Sequence, residues 1–330
     1  MPSSAARSLA LAFGLALAAG LPAGRAVIFY STSDPSYNTT APTGSLANSG
    51  WQWVGTWEGF TGTPIAPNYF LAARHIGGAV GDPFVFDGVT YTAAAFFDDS
   101  ASDLRIVQVN GSFPTWAPLY LGSSEVGSGL VVYGYGLSRG AAVYSGTRLA
   151  GWQWGSNNGV LRWGQNTIVA TINGGSYWGQ LLYAVFTAGG GANGCDLAQG
   201  DSSGPVFIND GTGWKLAGIA AAVDGPFNTT DTGGGFDAAI FDARGLYIWN
   251  SDTQEWQQIP NGPEPEATGF YATQVSVRAS WIQSVIPSEP VGDAPLFSGP
   301  GLALLACLLL GTGAYMAWGR SCIGESGWIR

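Results

Sequence analysis

One histidine, twelve Lys and Arg residues taken together, three cysteines and two methionines are all that 330 residues provide of these types. Each scarcity excludes a class of function. The few basic residues are scattered and the formal charge is −10, so no basic stripe exists for a phosphate backbone and nucleic acid is excluded as an expected partner. A lone histidine, with cysteines far apart at 195, 307 and 322, supplies no zinc ligand set, and no metal or other cofactor is expected. Any acid–base chemistry that needs an imidazole must use His75. Only 10% of residues are charged, whereas Gly (51), Phe (16), Tyr (13) and Trp (14) are plentiful. That composition belongs to a chain with a large packed core rather than to a disordered one.

Long apolar runs are confined to the two ends. Arg7 precedes the run Leu9–Leu21, and the small-residue exit Ala23-Gly-Arg-Ala26 follows it, the layout of a secretory signal over 1–26 with cleavage after Ala26. Leu296–Trp318 carries no charge and would span about 34 Å as a helix, enough for a hydrocarbon core of about 30 Å. A membrane helix over 296–318 is therefore expected, after a Pro- and acid-containing linker at 287–295 and before a tail at 319–330. Arg320 and Arg330 in that tail orient it inward, which leaves 27–295 exported in the cell envelope. Only Cys195 lies in the exported part, so no intramolecular disulfide holds it.

Between the ends the sequence is punctuated as an all-β protein is. Phe84–Tyr91, Leu104–Val109, Gly129–Tyr133 and Thr167–Ile172 are short, rich in β-branched or aromatic residues, and separated by Gly, Asn or Asp. Pro205–Ile208 and Trp214–Ala220 flank Asn209-Asp-Gly-Thr-Gly213, a hairpin signal. A helix is expected over Val275–Ile286, ended by Pro287. Residues 224–268, rich in Gly, Thr, Asp and Pro, look like an insertion with its own hairpin, Gly245–Trp249 against Trp256–Ile259.

The stretch Gly200-Asp-Ser-Ser-Gly-Pro205 fits two nucleophile frames, Gly-x-Ser-x-Gly of α/β-hydrolases and Gly-Asp-Ser-x-Gly-Pro of trypsin-like enzymes. A serine hydroxyl needs a general base. In the first family that histidine follows the serine along the chain, and here the only histidine precedes it. The serine also enters a hairpin rather than a strand-to-helix turn. Four blocks, Leu71-Ala-Ala-Arg-His75, Ser102-Asp-Leu-Arg-Ile106, Gly134-Tyr-Gly136 and Gly200–Pro205, appear in an order that resembles the trypsin-like (chymotrypsin-fold) serine proteases over roughly residues 50–286.

The resemblance implies two antiparallel Greek-key β-barrels with a C-terminal helix, the first over about 50–137 and the second over about 138–286, within a protease domain at 27–286. It implies a serine endopeptidase acting on a peptide or protein substrate, with Ser202 as nucleophile, His75 as base and Asp103 as its orienting acid. Asp98 and Asp99 are rival acids. Backbone N–H groups of Gly200 and Ser202 would form the oxyanion hole, and Asp196, six residues before Ser202, would sit at the base of a pocket for a basic side chain. Asp201 would receive a freed N-terminal ammonium at Val27. Ser203 departs from the family's glycine and is expected to narrow the cleft on its primed side. The tail also resembles exosortase-type (PEP-CTERM) sorting segments, loosely, at Pro287-Ser-Glu-Pro290. Two other functions use the same fold: an inactive surface-anchored binding module, and an esterase with the same three side chains.

Overall fold

The computed structural model describes residues 24–25, 27–156 and 159–287. Among these, no helix is long and apolar enough to cross a membrane. The expected membrane helix, tail and sorting segment, and all of the expected signal except Gly24–Arg25, lie outside the described residues.

Twelve strands form two closed barrels. The first barrel contains β1 (Gly55–Trp57), β2 (Phe60–Ala66), β3 (Tyr69–Ala73), β4 (Pro83–Phe86), β5 (Val89–Asp98) and β6 (Leu104–Asn110). In the second are β7 (Gly129–Gly134), β8 (Arg162–Asn173), β9 (Gln180–Val185), β10 (Pro205–Asn209), β11 (Trp214–Val223) and β12 (Gly269–Gln274). All pairings are antiparallel, and the order around the ring is the same in both: first, second, third, sixth, fifth, fourth. This is the all-β, two-barrel chymotrypsin-like fold expected from the sequence.

Two sequence boundaries move. Phe84–Tyr91 is not one strand but the hairpin of β4 and β5, because Asp87 and Gly88 both adopt positive φ (50° and 73°) and reverse the chain. The boundary expected near residue 137 also shifts, since Gly129–Gly134 is already the first strand of the second barrel, hydrogen-bonded to β8 and β10. Its Val131, Val132 and Tyr133 are fully buried, which an inter-barrel linker would not require.

The barrels are filled differently. The first holds an aromatic cluster, in which Phe70 stacks on Phe84 at 4.0 Å and Tyr91 meets Phe113 at 4.7 Å. Aliphatics fill the second, including Leu130, Val132, Ile168, Leu182, Val206 and Ile208. A third cluster, with Leu71, Ile106, Val131, Phe207, Ile219 and Ile282, joins residues of both barrels to the C-terminal segment. Burying each such side chain stabilises by about 1.5–3 kcal/mol, which suits a chain whose described cysteine, Cys195, is free. The C-terminal segment is a 3-10 turn, Ser276–Arg278, followed by the α-helix Ala279–Val285.

Candidate active site

His75 follows β3 in the 3-10 turn Arg74–Ile76. The backbone of Asp103, immediately before β6, accepts the N–H of Arg74 at 2.6 Å, and its side-chain Oδ1 accepts the N–H of His75 at 3.0 Å. Two neighbouring strands thus fix where the imidazole starts. Its Nδ1 lies 2.5 Å from Asp103 Oδ2, and its Nε2 lies 2.9 Å from Ser202 Oγ. A carboxylate only accepts, so the facing Nδ1 carries the proton, and Nε2 is left to accept from the serine hydroxyl. Asp103 is fully buried, while the His75 side chain keeps 20% exposure, open enough to meet a substrate.

The rival carboxylates are engaged elsewhere. Asp98 pairs with Arg105 at 2.6 Å, which holds its carboxyl below the usual range. Asp99 is gripped by the guanidinium of Arg278 and the hydroxyl of Ser102; burial opposes its ionisation, but these partners lower its pKa overall.

Ser202 sits in the loop that leads into β10. Gly200, at φ 96°, turns the chain just ahead of it in a region that disfavours any other residue. Among the described residues the N–H groups of Gly200 and Ser202 have no acceptor in the protein. Asp201 next door is buried and accepts from the N–H groups of Gly136 (2.7 Å), Ala198 (2.9 Å) and Val27 (3.3 Å). A Cβ on Gly136 would stand 2.4 Å from Asp201 Oδ2, so a glycine is required there. Burial pushes the Asp201 carboxyl up to about 6, with the three N–H donors pulling the other way.

Ser203 does not narrow the cleft. It is fully buried at φ 65°, and its Oγ accepts the N–H of Ala73, the last residue of β3, at 3.0 Å. Its carbonyl accepts from Thr61 Oγ1 at 2.7 Å. The Ser203 side chain therefore ties the loop that carries Ser202 to the first barrel. The left-handed backbone turns it inward.

Asp196 is also buried, with Oδ1 on the N–H of Leu197, and burial drives its carboxyl well above the usual range. It is not among the residues lining the cavity of about 760 Å³ that contains His75 and Ser202. The carboxylates on that lining, besides Asp201, are Asp224 and Asp237. Sequence reasoning missed both. Asp224 directly follows β11 and accepts from Tyr183 Oη and Tyr271 Oη, each at 2.7 Å. Trp178 was missed as well: its ring packs edge-on to His75 with centroids 5.7 Å apart. The signal was there in Asn173-Gly-Gly-Ser-Tyr-Trp-Gly179, an aromatic pair inside a glycine-rich loop.

Among the described residues no group of three or more His, Cys, Asp or Glu could hold a metal ion. No family model and no curated protein matches the chain. Among solved structures, the chain is similar to neuropsin, a serine protease expressed in the limbic system of mouse brain, at 17% identity and a TM-score of 0.42, over 73% of this chain and 96% of that one.

Proposed function

We propose that the chain is a serine endopeptidase that hydrolyses peptide bonds through an acyl-enzyme formed on Ser202. The observation that carries this reading is the unbroken line from Asp103 through His75 to Ser202, at 2.5 and 2.9 Å. In the reaction Ser202 Oγ attacks the scissile carbonyl while His75 Nε2 takes its proton. The same imidazolium, held by Asp103, then returns the proton to the leaving amine. The developing oxyanion is received by the unpaired N–H groups of Gly200 and Ser202. Water repeats the sequence to release the acid. Hydrolysis of a peptide panel, set beside the matching esters, tests the reading: peptide cleavage that disappears in Ser202→Ala is expected, and turnover of esters alone would replace it with an esterase.

Activation is proposed to follow from cleavage after Ala26. In the intact chain the Val27 N–H meets Asp201 as a neutral amide, and Val27 is fully buried at φ 55°. A β-branched residue in that region carries strain of about 1–3 kcal/mol. Ile28 and Phe29 pair with Asp196 and Cys195, so the segment is docked beside the nucleophile loop. Cutting before Val27 abolishes the constrained φ and turns the amide into an ammonium facing Asp201. Export of the domain and anchorage by 296–318 complete the proposal and rest on the sequence alone.

A further inference from the structure

The cavity beside Ser202 is not closed by the barrels alone. Segment 224–268 forms much of its wall, and strands Tyr247–Asn250 and Glu255–Gln258 of that segment pair to bring Trp249 opposite Trp256. Their rings meet edge to face at 5.2 Å, and Trp256 Nε1 donates to the carbonyl of Gly233 at 3.2 Å. Gly235 lies against the same ring, where a Cβ would come within 2.3 Å of Trp256, so the indole is seated from behind. Trp154 lines the cavity as well.

Apart from the imidazole of His75, the ionisable groups on this lining are all carboxylates, and neither Lys nor Arg is among them. Asp224 is fixed in direction by the two tyrosine hydroxyls and by the N–H of Gly269. Asp237 is exposed to the cavity, and among the described residues its carboxylate has no hydrogen-bond partner. The surrounding protein nevertheless raises the pKa of both carboxyls by desolvation, the situation a bound cation relieves. Indole faces attract a cation, and a planar guanidinium stacks on them better than an ammonium does. At about 760 Å³ the cavity lies within the range of sites that enclose a guest (about 300–1,000 Å³).

We infer that segment 224–268 builds a receiving site for an arginine side chain of the peptide, held between the indoles of Trp249 and Trp256 and the carboxylates of Asp224 and Asp237. This inference rests on the protease reading, because it names the substrate that the Ser202 cleft takes. It assigns recognition to the insertion rather than to Asp196, which is outside the lining.

Binding without turnover separates the two claims. The full chain carrying Ser202→Ala is titrated with short Ala/Gly peptides containing one arginine or one citrulline, the neutral isostere, and intrinsic tryptophan fluorescence reports the Kd. The arginine peptide is expected to bind about tenfold more tightly, and the preference is expected to shrink to about threefold or less when Asp237→Asn is added. Asp237 is exposed and its carboxylate has no hydrogen-bond partner among the described residues, so this change is expected to leave the fold intact; Asp231→Asn, on an exposed residue outside the lining, controls for net charge. Equal affinities for the two peptides, no binding of either, or a preference unmoved by Asp237→Asn would overturn the inference. A Ser202 that hydrolyses peptides while failing this test would leave the protease reading standing. A preference for arginine in a chain whose Ser202 never reacts would do the reverse.

Discussion

The two barrels wind their six strands in the same order, yet they differ in what they carry. The first runs from Gly55 to Asn110 with short connections and an aromatic interior, and it delivers His75 and Asp103 from the ends of two adjacent strands, β3 and β6. The second opens its connections. Between β7 and β8 it extends the hairpin Arg139–Ser145 with Arg148–Trp154, and between β11 and β12 it inserts 224–268. From it come Ser202, the N–H groups of Gly200 and Ser202 that have no acceptor among the described residues, and most of the cavity wall. On the proposed reading, a rigid scaffold would position the proton-handling pair, and an elaborated one would supply the nucleophile and the surface that selects a substrate. Loops carry that second task because they can vary without disturbing the ring of strands.

The largest expected effect breaks the junction between the barrels. His75→Ala and Ser202→Ala should each lower kcat by on the order of 10⁴- to 10⁶-fold, and the double variant should lose little more, as groups acting as one unit do. Single-turnover kinetics on one peptide substrate checks both statements. Additive losses would mean that the barrels contribute independently.

Next in size is the link between the N-terminal segment and the second barrel. Adding Gly-Ser ahead of Val27 in the cleaved protein should cost about 10²- to 10³-fold in kcat, the scale of a lost oxyanion donor. In the unextended protein, pairing with Asp201 would raise the α-amino pKa above its free value of about 7.7–8.0. Stabilisation from that pair is complete below the free value and lost as pH climbs through the raised one. Activity should therefore fall at alkaline pH, and the profile of the extended protein should lack that limb.

A smaller effect belongs to Asp201 in the uncut chain. Its folded-state pKa of about 6 lies above the unfolded value, so the folded chain holds this proton where the unfolded chain has released it. With respect to this group the uncut fold is most stable below about pH 4 and loses about 3 kcal/mol as pH rises to 7. Asp201→Asn should flatten that decline in Tm measured against pH, and cleavage before Val27 should reverse part of it.

The smallest change sharpens the contact of the Ser202–Ser203 loop with β3. Ser203→Gly keeps the left-handed backbone but removes the acceptor from the buried Ala73 N–H, which should cost about 1 kcal/mol or about 2–4 °C in Tm. Recovery of full stability in the glycine variant would show that relief of strain at φ 65° outweighs the lost hydrogen bond.

Much of this architecture was legible because it is local. Leu104–Val109, Gly129–Tyr133 and the hairpin after Pro205 announce themselves through β-branched runs and turn residues, and the lone His75 fixes the order of the candidate site. What escaped depends on contacts between distant segments. Asp224 reads as one more acid in a loop until Tyr183 and Tyr271 are folded against it. Ser203 reads as a side chain beside the cleft until its positive φ turns it toward Ala73. The burial of Asp196 likewise depends on Ile28, 168 residues away in sequence, pairing with it.

Reaction of the whole chain with a fluorophosphonate probe, followed by peptide mapping, tests the central claim most directly. The account predicts a single label on Ser202 that is lost in His75→Ala. A label on Ser203, or one on Ser202 that persists unchanged without His75, would contradict it.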